Sequence, residues 1–325
     1  MLLAATAILV GFVVLIWSAD LFVAGAASIA ENMGLSPVII GLTIVSIGTS
    51  APEILVSITA TLSGAGELAI GNAIGSNIAN IGLVLGTTVL VAPMCVHPSC
   101  IRKELPALLV VTAGTGLLIL DGELSRLDGG LMMAALAFIL YQVVRNQDEG
   151  ASLLEEAGGD DVLPHLNPLR AWLTFALGMI MLIASSRALV WGATEVALFM
   201  GVSQLVIGLT IVAIGTSLPE LAATIASALR GHTEIAVGNV IGSNLFNLLA
   251  VMSIPGLIQP ELLDAQVLPR DYATMSAMTA MLALAIYLGR LRKRAPAGHS
   301  YIGRSAGVLF VAIYALYYYW LYQTR

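Results

Sequence analysis

Apolar residues run along this chain in long blocks, not in the two-residue alternation of a half-buried strand or a β-barrel wall. A membrane-crossing helix needs about 20 predominantly apolar residues. Ten blocks qualify, with soft edges: 2–30, 36–62, 67–93, 104–121, 124–144, 168–199, 203–229, 234–258, 270–289 and 303–323. The pattern predicts an all-α polytopic membrane protein with ten transmembrane helices. The first block is read as a span and not as a secretory signal, because no Lys or Arg precedes Arg102 to make a basic start.

The polar residues inside these blocks show a duplication. When residue n is placed beside residue n+167, Gly41-Leu42-Thr43-Ile44-Val45 falls on Gly208-Leu209-Thr210-Ile211-Val212. Ile47-Gly48-Thr49-Ser50 falls on Ile214-Gly215-Thr216-Ser217, and Pro52-Glu53 on Pro219-Glu220. Gly71-Asn72, Ile74-Gly75-Ser76-Asn77 and Asn80 find Gly238-Asn239, Ile241-Gly242-Ser243-Asn244 and Asn247. From 41 to 82 the register holds without a gap, with 23 of 42 positions identical. The chain therefore divides into residues 1–150, with a repeat motif at 41–86, and residues 151–325. The second part comprises an acidic linker and five more blocks, with its motif at 208–253. Five spans is an odd number, so the second half enters the membrane from the opposite side: two inverted five-helix repeats. Secondary transporters of this architecture hold their sites near the midplane, on discontinuous helices.

Composition and charge sharpen the class. Of the 325 residues 58% are hydrophobic and 10% charged, against roughly 25% charged in a soluble domain. A net charge of −6 with 14 basic residues leaves no basic face for nucleic acid, and two cysteines make no disulfide framework. The lipid bilayer is the expected partner. Ten basic residues fall in the odd-numbered connections and three in the others (Arg126, Arg270 and Arg325), with Arg187 inside a block. The excess belongs in the cytoplasm. This predicts a cell-membrane (inner-membrane) protein with both termini outside and the 145–167 connection inside. That connection carries six acids and reads as a solvated linker.

Glu53 and Glu220 carry the candidate chemistry. A carboxylate at the centre of a span costs roughly 2.5–3.5 kcal/mol or more and calls for a partner. No Lys or Arg lies in the second, third, seventh or eighth blocks except Arg230 at one end. A bound cation or a proton is then the natural partner. Pro52 and Pro219 lack an N–H, which frees the carbonyls of Gly48 and Gly215. Carbonyls near Ser46 and Thr49, and near Ala213 and Thr216, are expected to face cations, with Thr49 on the helical face of Glu53 at i−4. The hydroxyls of Ser50 and Ser217 sit beside them. Asn72, Ser76 and Asn80 form a polar stripe at i, i+4, i+8, repeated as Asn239, Ser243 and Asn247. Gly71 and Gly75 are expected to let helices approach closely, and Asn77 and Asn244, off the stripe, to serve as interhelical hydrogen bonds. All these donors are hard oxygens, which select Na⁺, Ca²⁺ or similar ions over zinc or copper. Two glutamates balance one Ca²⁺ or two Na⁺.

These residues resemble the cation/calcium exchanger superfamily, whose two repeats carry G-T-S-x-P-E and G-S-N-x-x-N; the chain is most similar to its prokaryotic sodium/calcium exchangers. The resemblance implies Ca²⁺ transport against Na⁺ by alternating access, with no cofactor and no enzymatic activity. It implies Ca²⁺ ligation by Glu53 and Glu220 with help from Thr49 and Thr216. Flanking Na⁺ sites would use Ser76 and Ser243 with the carbonyls of Ser46 and Ala213, and a central position would lie at Asn80 and Asn247. Some members carry Asp where this chain has Asn247, which leaves K⁺ or H⁺ open as counter-ion; an H⁺-coupled cation antiporter is the alternative.

Other residues make weaker claims. Asp20 and Arg187 occupy equivalent positions with opposite charge and are read as snorkelling to opposite interfaces, or as serving ion access. Glu67 and Glu234 are expected at helix N-termini, Glu195 at an interface, and Cys95 and Cys100 as free thiols.

Overall fold

The computed structural model describes residues 2–35, 37–145, 166–201, 213–291 and 298–323. Helix α1 (Leu2–Met33) is a single long helix. A short turn at Pro37–Ile40 leads into α2 (Gly41–Thr49) and α3 (Ala51–Leu62), which meet at a 49° bend. Then come α4 (Gly66–Val91), α5 (Leu105–Leu118), α6 (Arg126–Arg145) and α7 (Pro168–Phe199). The short α8 (Ala213–Thr216) and α9 (Leu218–Leu229) precede α10 (Thr233–Ile258), α11 (Val267–Gly289) and α12 (Arg304–Gln323). Among the described residues seven helices are long and apolar enough to cross a membrane, or eight if α2 and α3 make one span. The chain is an integral membrane protein. The acidic linker residues 146–165, the repeat segment 202–212 and the basic residues Arg292, Lys293 and Arg294 lie outside the described residues.

Among the described residues four short strands interrupt the helical pattern: β1 (Met94–Val96), β2 (Glu123–Leu124), β3 (Glu261–Leu262) and β4 (Ser300–Ile302). β1 pairs antiparallel with β4, Met94 opposite Ile302, and β2 with β3. Each ribbon clips together two connections that are distant in sequence.

The breaks at α2/α3 and α8/α9 have one cause. Ser50 (φ −83°, ψ 1°) and Ser217 (φ −89°, ψ 3°) leave helical geometry at equivalent positions, and a proline follows within the first turn of the new helix. Proline is tolerated there because its missing N–H is one the helix start does not use. Glu53 and Glu220, expected near the middle of their spans on discontinuous helices, stand in the first turns of α3 and α9, where the helix dipole favours negative charge. The freed Gly215 carbonyl has a partner not evident from the sequence: Ser186 of α7 donates its hydroxyl to it at 2.9 Å. Asn80 and Asn247 each open a π-helical turn, Asn80–Leu85 within α4 and Asn247–Val251 within α10; such turns concentrate at functional sites.

Packing separates a core from an outlying pair. Every residue of α10's apolar window is buried, and α4 is mostly buried. α1 and α7 cross antiparallel in backbone contact. A Cβ on Gly178 would stand 2.5 Å from the Phe22 nitrogen, and one on Gly25 2.6 Å from the Phe175 Cα. Gly11 meets Leu189 and Gly192 meets Ala4 and Ile8. The Phe22 and Phe175 rings stack at 4.8 Å. Outer faces of the pair, including Phe12, Ile16, Leu177 and Ile180, are exposed and apolar, as lipid-facing surfaces are. Gly71 and Gly75 do not make the close approach expected of them; a Cβ there would meet nothing within 4 Å. Gly41 and Gly242 make it instead: a Cβ on Gly41 would lie 2.7 Å from the Ile235 oxygen, and one on Gly242 would reach the Leu42 backbone.

Gly178→Val should overpack the α1–α7 crossing by about 1–3 kcal/mol and lower the unfolding midpoint in detergent, whereas Leu177→Val on the exposed face should leave it nearly unchanged. Ser186→Ala should strand the Gly215 carbonyl at about 1–3 kcal/mol, and Ser186→Thr should restore the midpoint.

Candidate functional site

α3 and α9 bring the two glutamates into one buried region. Glu53 is 1% exposed and Glu220 2%, and they lie near enough for their charges to repel. Ser50 donates its hydroxyl to Glu220 Oε1 at 3.4 Å, and the Thr49 hydroxyl lies against the same carboxylate. The i−4 spacing sets Thr49 on the helical face of Glu53; the structure adds that the G-T-S segment of one half also faces the glutamate of the other.

Helix α10 supplies the opposite wall. Thr49 Oγ1 donates to Asn239 Oδ1 at 3.2 Å and lies 3.4 Å from Ser243 Oγ and from the Ser46 carbonyl. Ser46 Oγ reaches the carbonyls of Gly41 at 2.6 Å and Asn239 at 3.1 Å. Asn72 Nδ2 donates to the Glu53 carbonyl at 3.4 Å. Ser76, Asn80 and Asn247 are buried, Thr216 is half-buried, and Ala213 is the first residue of α8. Asn77 and Asn80 donate to the Asn244 backbone and side-chain oxygens at 3.3 and 3.1 Å. Asn77 and Asn244 thus make the interhelical bond expected of them.

Several buried polar atoms here have no partner. Among the described residues these include Glu53 Oε2, Glu220 Oε2, Ser217 Oγ, Asn80 Oδ1, both amide atoms of Asn247, Asn77 Oδ1 and Asn244 Nδ2. Each unpartnered buried group costs about 1–3 kcal/mol, and more when charged, so their convergence calls for something to fill it. The donor set is two carboxylates with hydroxyl, amide and carbonyl oxygens. No group of three or more His, Cys, Asp and Glu gathers among the described residues. Such a set suits a hard cation held partly by neutral oxygens.

A cavity of about 350 Å³ reaches the region from one side. Its wall includes Pro52 and Pro219, the residues just before the glutamates, together with Gly215, Thr216 and, from α7, Arg187.

Three polar residues went unmarked in the sequence. Ser57 donates to the Val251 carbonyl at 2.9 Å, and Thr224 accepts from Asn239 Nδ2 at 2.9 Å. They are equivalent positions, each four residues after a glutamate, and a matched hydroxyl pair was the available signal. Ser186 had no such signal, since Ala19 stands at its counterpart. Asp20 does not reach an interface alone; it pairs with Arg230 at 2.5 Å. Glu67 and Glu234 stand in first helical turns, and Glu195 is exposed. Cys95 and Cys100 are free. Burial pushes both thiols up, Cys100 the further because it is the more deeply buried, with Glu104 and Glu234 nearby adding to the effect.

The family described as sodium/calcium exchanger protein matches residues 3–145 and 170–323. The putative antiporter CaxA of Alkalimonas amylolytica is 44% identical over 100% of both chains. The sodium/calcium exchanger MaX1 of Methanosarcina acetivorans is 32% identical over 88% of this chain and 92% of its own. Solved structures of the sodium-calcium exchanger NCX_Mj superpose with a TM-score of 0.81 at 31% identity, covering 97% of each chain. The chain belongs to the sodium/calcium exchanger protein family.

Proposed function

We propose that the protein is a secondary antiporter that exchanges Ca²⁺ for Na⁺ by alternating access, at a site built on Glu53 and Glu220. The observation that carries this reading is the set of unpartnered buried oxygens at two equivalent helix breaks. Ca²⁺ sits between the two carboxylates, with Thr49, Thr216, Ser50 and Ser217 beside it. Na⁺ uses Ser76 and Ser243 with the Ser46 and Ala213 carbonyls, and Asn80 and Asn247 flank the centre. Ca²⁺ or two Na⁺ each neutralise the charge of −2, so either load can fill the site and both together cannot.

The proposed architecture is two inverted five-helix repeats, 1–150 and 151–325, crossing ten times in the inner membrane with both termini outside. Reciprocal contacts support it. Gly11 meets Leu189 as Gly178 meets Phe22, and Gly25 meets Phe175 as Gly192 meets Ile8. In each pair of contacts adding 167 to the lower number and subtracting it from the higher interchanges the two. A two-fold relation between antiparallel halves produces that pattern.

The test is radioactive Ca²⁺ uptake into proteoliposomes loaded with Na⁺ and diluted into Na⁺-free buffer. Uptake should require internal Na⁺. Glu53→Gln and Glu220→Gln should each lower it by about tenfold or more, the equivalent of ~1.4 kcal/mol. Uptake driven by a pH gradient and indifferent to Na⁺ would make the counter-ion H⁺, and K⁺ dependence is read in the same assay. No Ca²⁺ uptake under any gradient would overturn the cargo.

A further inference from the structure

Resting on the exchanger reading, we propose that Arg187 is a specificity-determining residue: a fixed positive charge in the wall of the access cavity that biases one membrane face toward Na⁺ and against Ca²⁺. Among the described residues Arg187 is the sole charged side chain in the cavity wall, which also includes Pro52, Pro219 and Thr216. On this proposal the cavity, whose wall includes the prolines just before both glutamates, is the route by which a cation reaches them past the guanidinium. Among the described residues Arg187 has no ion-pair or hydrogen-bond partner, so its charge is not cancelled locally. Its backbone is anchored beside the break, because Ser186 bonds to the Gly215 carbonyl at 2.9 Å. The residue that carries the charge is therefore held next to α8.

The opposite half lacks this device. Asp20 holds the equivalent position and is neutralised by Arg230 at 2.5 Å. The two ends of the exchange path are thus electrically unequal. With the 145–167 connection inside, α7 runs outward. Arg187 is then the 20th of its 32 residues, past its midpoint on the outer side.

Charge magnitude converts this asymmetry into selectivity. A fixed potential acts on Ca²⁺ with twice the energy it exerts on Na⁺. Removing it should tighten apparent Ca²⁺ affinity at the outer face roughly three- to tenfold, as one charge acts on a divalent ion at about 10 Å in a wet, partly screened passage. The corresponding change for Na⁺ should be the square root of that factor. In the native protein the same potential hastens Ca²⁺ release outward while hindering Na⁺ binding less.

The test places Arg187→Cys in a Cys95→Ser, Cys100→Ser background, in right-side-out and inside-out membrane vesicles. The introduced thiol is treated with membrane-impermeant thiosulfonates, one cationic and one anionic. The expected result is labelling from the outer face, tighter outer Ca²⁺ affinity in the unlabelled variant, its return to the native value with the cationic adduct, and further tightening with the anionic one. Inner-face affinity should not move, and the effect should shrink at high salt. Absence of labelling from the outer face would overturn the proposal whatever the vesicles transport. Affinity shifts that ignore adduct charge, that match on both faces, or that are equal for Na⁺ and Ca²⁺ would also overturn it. If the native protein exchanges no Ca²⁺ for Na⁺, the exchanger reading fails and the role in affinity fails with it. If native exchange is intact and the adducts make no difference, only the role of Arg187 fails.

Discussion

A carboxylate in a low-dielectric interior is costly unless a charge or a set of hydrogen bonds answers it. Glu53 and Glu220 are both buried, both near each other, and among the described residues neither has an ion-pair partner. The surrounding features answer this constraint. The helix breaks at Ser50 and Ser217 set each carboxylate in a first helical turn. Hydroxyls from Thr49 and Ser50 turn toward Glu220. Asn239 and Ser243 hold Thr49 in place from α10. What these groups leave unanswered is the part that the proposed cargo supplies.

Holding such a site requires a rigid frame with little apolar freedom near the charges. α10 provides it by full burial, and the close approaches at Gly41 and Gly242 bring α2 against it at backbone distance. Ser57 and Thr224 then lock the sheath around the glutamates to α10 through the Val251 carbonyl and the Asn239 side chain. By contrast α1 and α7 meet chiefly each other and present wide apolar faces outward. The molecule combines a tightly bonded centre with a pair of helices whose outer surface is fitted to lipid.

Much of this was legible in the sequence because the bilayer forbids unsatisfied backbone and rewards long apolar runs. The helices follow the apolar blocks, and the duplicated G-T-S-x-P-E and G-S-N-x-x-N segments marked the residues that converge. Other features were not legible, for identifiable reasons. Periodicity compares positions within one span, so it set Thr49 on the face of Glu53 and could not show that Ser50 reaches Glu220 of the other half. Glycine spacing identified Gly71 and Gly75 as contact points, yet which glycine meets a neighbour depends on helix rotation, and the contacts fell to Gly41 and Gly242. The cap on Gly215 comes from Ser186, whose counterpart in the first half is Ala19. The ribbons at β1/β4 and β2/β3 are too short to leave a pattern.

The crossing of partners at Glu220 also bears on how the protein is made. Its hydroxyl donor Ser50 is synthesised about 170 residues earlier, and Glu53 likewise leaves the ribosome long before α9 and α10 exist. A first half already threaded into the membrane holds a carboxylate whose surroundings are incomplete. Until the second half inserts and α10 closes against α2, that group must remain protonated or reach water. Assembly of the two halves therefore converts a poorly tolerated intermediate into a finished interior. The buried glutamate gives the early half a standing free-energy reason to wait for its counterpart and not to settle in lipid alone.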